Sequence, residues 1–225
     1  MTELDSVVPG RVWRVARLVW FSGVKLRTHA TVVKLDDGGL WVHGPPPPTE
    51  PIRAALDALG PVRWAVVPNL FHHVAAPAFA AAYPEATLIG PDAIRAKNPA
   101  VQPAVSAAER VVKELEPHPL DGVPLLDETL FFHHPTRTLI GTDVVMTACA
   151  ADHWTWRAAG RITGCWNRVR PPPDVRWKTP RSEAAARSIE RLAALPMDRL
   201  LVAHADPIEE RPADQLRDAW AYQRR

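Results

Sequence analysis

Three histidines and an aspartate stand where apolar runs end. "WAVVPN" (64–69) leads through Leu70 and Phe71 to the tandem pair His72 and His73; "RTLIGT" leads to Asp143; "RLLVA" leads to His204. Imidazole nitrogens and a carboxylate suit a first-row divalent ion such as Zn, Fe or Mn. Such an ion brings the pKa of bound water to about 7 and makes it a nucleophile for an ester, lactone, thioester or phosphoester. The tandem pair is the unusual part. Successive side chains of an extended chain point to opposite faces. Two adjacent rings therefore meet at one ion only if the backbone turns between them, as at the start of a helix. Three further residues flank the set. Asn69 is placed to hydrogen-bond a water or substrate, or to form a plain turn. His43 closes "LWVH" and would either donate to a ligand carboxylate or sit at the edge of the core. Asp206 would orient the His204 ring or cap the segment before Pro207. His133 and His134 fall at a hairpin turn and are expected on the surface, while His29 and His153 fit no pattern.

The elements that must position these residues follow from the alternation. "RVWRVARLVWFSG" and "THATVVKLDDGGLWVHG" read as strands, the second split by a "DDGG" hairpin turn. "TEPIRAALDALG" is a helix with Thr49 as cap, Pro51 in its first turn and Gly60 at its end. "VRWAVVPN" is a buried strand, "APAFAAAYP" a short helix, "ATLIGP" a strand and "PDAIRAKNP" a short helix. From 111 to 147 the texture is β: "VVKELEP", then the hairpin "ETLFFHHPTRTLIGTDVVM". Residues 148–181 carry Trp154, Trp156, Trp166 and Trp177 among several prolines. This is too aromatic for a disordered linker, so it reads as a partly helical insertion whose tryptophans pack. "SEAAARSIERLAALP", capped by Ser182, "DRLLVAHAD" and "PADQLRDAWAYQRR" complete the chain as helix, strand and helix. Strand-end residues in such layered α/β patterns gather at one edge, where ligands bind.

Bulk composition excludes several classes. The 225 residues suit one domain with an elaborate insertion, large enough to need no disulfide staple. The formal net charge is +2 and the arginines are scattered, so no nucleic-acid footprint is present. No run approaches the ~20 apolar residues of a membrane span, and the acidic opening "MTELDSVVPG" is no signal peptide. The expectation is a cytoplasmic, reduced protein. Cys149 and Cys165 share one segment and their pairing stays open. An oligomer is possible, and nothing in the residues marks one.

In order and layout, these residues resemble the metallo-β-lactamase superfamily. Its first motif, H-x-H-x-D-H, falls on Pro68, Asn69, Leu70, Phe71, His72 and His73, its hairpin Asp on Asp143, and its final His on His204. The "PNxxHH" form and the Trp-rich insertion resemble more closely an uncharacterised bacterial domain family of unknown function related to that superfamily. The resemblance implies an α/β, four-layer αββα sandwich spanning 1–225, with an insertion at about 148–181. Members of the superfamily hold two metals side by side. Here Pro68 and Leu70 cannot coordinate, and His118 lies too far upstream to be the missing middle histidine. The resemblance thus implies one retained divalent ion held by His72, His73, Asp143 and His204, and a small-molecule substrate. Four protein ligands would close a tetrahedral zinc site, so a hydrolase would need a higher coordination number or one loose ligand. The alternatives are an octahedral iron or manganese redox centre with two open positions, and a non-catalytic relative whose dinuclear site has decayed.

Overall fold

Strong alternation in residues 12–34 builds a long hairpin that anchors the first sheet. The computed structural model describes residues 4–224. Strands β1 (Leu4–Val8), β2 (Val12–Phe21), β3 (Val24–Lys34), β4 (Leu40–His43), β5 (Val62–Val66), β6 (Thr87–Gly90) and β7 (Val105–Ser106) lie side by side in chain order. Pairing is antiparallel as far as β4 and parallel from β4 to β7. Gly38, at φ 82°, makes the expected turn between β3 and β4. The second sheet contains β8 (Leu115–Pro119), β9 (Thr129–His133), β10 (Thr138–Ile140) and β11 (Arg199–Leu201), in the order β11-β10-β9-β8. Within it β10 and β11 run parallel, so their carboxyl ends share an edge.

Side-chain parity sorts the apolar residues into three layers of core. Val33, Trp41, Val66 and Ile89 of the first sheet meet Leu115, Phe131, Ile140 and Leu201 of the second. Outside the first sheet, Ile52 and Leu56 of α1 (Glu50–Asp57) and Phe79 of α2 (Ala76–Ala82) cover Val32, Val42 and Ala65. Ile94 of the short helix α3 (Ile94–Lys97) joins them. Outside the second sheet, Ile189 and Leu192 of α6 (Glu183–Ala193) and Leu216 of α7 (Pro212–Ala219) cover Leu130, Phe132, Leu139 and Leu200. β9 is buried on both faces because Phe131 points one way and Leu130 and Phe132 the other. The outcome is the expected αββα sandwich.

Ser182 caps α6 as expected, accepting from the Ala185 amide at 3.3 Å. Thr49 occupies the cap position of α1, but its side chain makes no capping bond. The strand expected from residue 111 begins instead at Leu115, since Val112 to Leu115 close a turn.

The insertion supplies α4 (Trp154–Thr163) and α5 (Pro173–Lys178). Trp156 is buried with Leu26, Met146, Ala148 and Cys165, and its indole N–H donates to the Thr147 carbonyl. Trp166 lies under the Arg161 guanidinium, 3.5 Å from the ring centroid. Trp154 and Trp177, by contrast, are 69% and 72% exposed, so the insertion does not pack all its tryptophans. Cys149 and Cys165 are free thiols. His133 corrects the expectation of a surface residue: it is fully buried, its Nδ1 2.7 Å from the Thr136 hydroxyl, whereas His134 is exposed. Parity explains the split, because His133 continues the inward face set by Phe131. Among the described residues no helix is long and apolar enough to cross a membrane.

Candidate metal centre

The backbone first gathers three loops at the edge between the sheets. The Thr129 amide donates to the Pro68 carbonyl and the Leu70 amide to Leu126, which ties the loop after β5 to the second sheet. The Gly141 amide donates to Leu201 and the Ala203 amide to Thr142, which extends the β10–β11 pairing past both strands. His29 of β3 donates its amide to Ala203. Residues 68–73, 141–143 and 203–204 therefore share one rim.

His72, Asp143 and His204 converge there, with their donor atoms all within 4.8 Å of one another. His72 Nε2 lies 3.3 Å from one Asp143 oxygen, and His204 Nε2 lies 3.5 Å from the other. The two rings sit 5.2 Å apart, tilted by 49°. His204 donates from Nδ1 to the Arg27 carbonyl at 2.8 Å. That bond fixes the tautomer and leaves the Nε2 lone pair facing a carboxylate. Burial pushes the His204 pKa down to about 4, so the ring does not carry a second proton at neutral pH. A lone pair facing an anionic oxygen is repulsive unless a cation lies between them. Two donors about 2.0–2.2 Å from one ion at a tetrahedral angle lie about 3.3–3.5 Å apart, which is the distance from each imidazole to the Asp143 oxygen nearest it.

The electrostatics of the other two groups agree. Burial disfavours the charged form of His72, but Asp143 outweighs it and raises the pKa above the ordinary value. Burial likewise favours neutral Asp143, yet the charge and hydrogen bond of His72, then His204 and Asn69, hold its carboxyl below the usual range. Asp143 is thus an anion waiting for positive charge, supplied by a proton on His72 or by an ion.

Asn69 is the pivot of this arrangement and is fully buried. Its Nδ2 donates to Asp143 at 2.7 Å and to the Thr142 hydroxyl at 2.8 Å. Its Oδ1 accepts from the amides of Phe71 and His72, both at 2.9 Å. One side chain both aims the carboxylate and sets the turn that presents His72. Beneath lies Glu128, which escaped notice in the sequence. It is 2% exposed and accepts from the Thr142 amide (2.6 Å) and hydroxyl (3.0 Å) and from the Asp143 amide (3.0 Å). Burial, then Asp143, push its pKa up to about 7 against those donors. Gly141 makes room for it, since a Cβ there would lie 3.1 Å from a Glu128 oxygen and 2.9 Å from Leu130. A signal was present: Glu128 has the same parity as Leu130 and Phe132, so it was bound to point inward.

Three expected site residues lie elsewhere. His73 is outside the cluster; its Nδ1 pairs with the Asn98 amide group at 3.0 Å, beyond α3. The turn held by Asn69 delivers His72 inward, and the next side chain leaves on the other side, so the tandem rings diverge rather than converge. His43 gives no hydrogen bond to a ligand carboxylate. Its ring stacks on Trp41 at 5.2 Å and meets Phe131 edge-on at 5.8 Å, and burial lowers its pKa to about 3. Asp206 does not touch the His204 ring, because the Arg27 carbonyl already takes that Nδ1 proton. It pairs instead with the Arg27 guanidinium at 2.8 Å, which Asp152 holds from the other side.

This fold is that of the metallo-β-lactamases. The metallo-β-lactamase from Pontibacter korlensis superposes with a TM-score of 0.66 at 14% identity, covering 96% of this chain and 97% of that one. The metallo-β-lactamase from Erythrobacter litoralis gives 0.69 at 14% identity over 96% and 94%, and that from Hirschia baltica 0.63 at 12% over 98% and 96%. A family model described as a domain of unknown function, DUF4336, matches residues 9–93. No curated protein sequence matches the chain significantly.

Proposed function

We propose that this protein is a hydrolase using one divalent ion held by His72, Asp143 and His204. The observation that carries the reading is the His204 lone pair, fixed by the Arg27 carbonyl and aimed at Asp143 beside a second imidazole. Three protein ligands, rather than the four expected from the sequence, also remove the difficulty of a closed zinc tetrahedron, since catalytic zinc sites keep three ligands and an open position. When bound, the ion would supply a water acidified to about pKa 7.

The chain's own residues do the rest. Asn69 and the amides of Thr142 and Asp143, braced on Glu128, hold the carboxylate in one orientation. The Arg27 carbonyl holds His204 in the ligating tautomer. Leu70 stands where the resemblance would place a ligand of a second ion, and it packs with the outer apolar layer of the first sheet. One ion is therefore the natural stoichiometry. The test is a screen of carboxylic, thio- and phosphoester hydrolysis with protein loaded in turn with zinc, iron(II) and manganese. The reading expects turnover that chelation abolishes and re-addition of the metal restores. Turnover unchanged in Asp143→Ala would refute it.

A further inference from the structure

Five large apolar side chains that the fold leaves more than half exposed fall on two neighbouring elements. Leu18, Trp20 and Phe21 lie at the tip of the β2–β3 hairpin, and Trp154 and Ile162 lie on α4. Ser22 and Gly23, both at positive φ, make the tight turn that leaves Trp20 and Phe21 at the hairpin's end. Contacts join the hairpin to the helix. The Lys25 amide of β3 donates to the Thr155 hydroxyl at 2.9 Å. The Trp20 ring meets the His153 ring edge-on at 6.0 Å, and His153 in turn lies 5.8 Å from Trp154. Along α4, Trp154, Ala158 and Ile162 recur every fourth residue on one exposed side, with exposed Arg157 and Arg161 beside them. At the tip Phe21 also meets Phe71, the residue before His72, at 6.4 Å. The apolar surface therefore runs from the outer face of the insertion to the rim of the metal centre.

The charge on this surface has one sign. No acidic residue occurs from Ser6 to Leu35 or from His153 to Pro173. Lys25 is the register partner of Trp20 and shares its face, and Arg157 and Arg161 flank the apolar row of α4. Among the described residues these three cations have no ion pair. Asp152 and Asp206, which reach β3 near the tip, are both taken by Arg27. The pattern separates three occupants. A second copy of the chain would set the cations against themselves across a two-fold axis, with no acid there to answer them. A nucleic acid would answer the cations but leave Leu18 and Ile162 in water. An anionic phospholipid surface answers both. Lipid phosphates attract Lys and Arg, while Trp, Phe and aliphatic side chains settle at the boundary of headgroups and acyl chains.

We propose that this face docks the protein on an anionic phospholipid surface, with Trp20, Phe21, Trp154 and Ile162 entering the headgroup layer and Lys25, Arg157 and Arg161 pairing with lipid phosphates. The contact is peripheral, since among the described residues no helix is long and apolar enough to cross a membrane. Docking needs no metal ion. It leaves the His72–Asp143–His204 centre beside the membrane, because Phe71 borders the docking face.

The test is sedimentation of the full-length protein with two kinds of vesicle: phosphatidylcholine alone, and an equal mixture of phosphatidylcholine and phosphatidylserine. Wild type should sediment with the mixed vesicles and hardly at all with the neutral ones, and added salt should release it. Lys25→Gln combined with Arg157→Gln should weaken binding to the mixed vesicles about 30-fold, the worth of two basic residues at an anionic surface. Trp20→Ser combined with Ile162→Ser should weaken it about tenfold or more. Both double variants should melt as wild type does. Wild type left in the supernatant by mixed vesicles, equal binding to the two kinds of vesicle, or binding that neither double variant alters overturns the proposal. A dimer in analytical ultracentrifugation that the Trp20→Ser, Ile162→Ser variant loses, without vesicle binding, assigns the face to a second copy and overturns it too. Binding of duplex DNA in place of vesicles overturns it in favour of a nucleic acid.

Discussion

Asn69→Asp is the most revealing single change, because it keeps the turn and reverses the charge logic. The new side chain retains the oxygen that accepts from the Phe71 and His72 amides. It replaces the Nδ2 donor, 2.7 Å from Asp143 and 3.4 Å from Glu128, with a second oxygen. Two anionic oxygens at that range repel by on the order of 5 kcal/mol at an effective dielectric of 20, so the variant responds by taking a proton. Glu128, buried in the same site, is already pushed up to about 7. If the introduced carboxyl is raised from about 4 to that same value, linkage at about 1.4 kcal/mol per pKa unit costs about 4 kcal/mol at pH 8 and about 1.5 kcal/mol at pH 5. The sign follows: a carboxyl whose folded pKa is raised removes stability as pH rises, so the variant is weakest in alkali. Thermal melts of chelator-treated protein should show Asn69→Asp about 10 °C below wild type at pH 8, with the gap narrowing by more than half at pH 5. Equal melting at pH 8, or a gap that does not vary with pH, would refute the role given to Asn69.

Other predictions concern the supporting residues. Gly141→Ala puts a methyl against Leu130 and the Glu128 carboxylate, and should cost about 1–3 kcal/mol in urea unfolding, the range for overpacking. Glu128→Gln turns an amide NH2 toward donors now bonded to carboxylate oxygens; metal affinity by competition with a chelating dye should fall about 10–100-fold, as for other groups that brace a ligand. Burial lowers the His133 pKa to about 4, and the Glu114 carboxylate at 3.7 Å is too far to hydrogen-bond it. A histidine held neutral loses stability as pH falls from about 6.5 towards 4, so His133→Leu should flatten the acid limb of the stability curve by about 1.4 kcal/mol per pH unit relative to wild type.

The layered architecture was readable because alternation and turn chemistry act locally. The "DDGG" turn, the Ser182 cap and the double-sided apolarity of "LFF" in β9 each state their role within a few residues. His72, Asp143 and His204 were readable for a related reason: each follows a buried strand, and strand ends share an edge. The divergence of His73 was not readable, since it depends on where Asn98 lies after two intervening helices. His43 failed similarly: Trp41, two residues earlier on the same strand, shares its face, but Phe131, which closes that environment, comes from the other sheet. The partner of the His204 ring is a main-chain carbonyl at Arg27, and a backbone atom leaves no mark in the residue string. Glu128 left a trace that parity exposes: a carboxylate in phase with inward Leu130 and Phe132.

The most direct measurement is elemental analysis of wild type, His73→Ala, His204→Ala and Asp143→Ala, purified identically and checked for equal folding by circular dichroism. The account predicts about one divalent ion per chain in wild type and in His73→Ala, and essentially none in His204→Ala and Asp143→Ala. An ion lost from His73→Ala, or retained in full by Asp143→Ala, would contradict it.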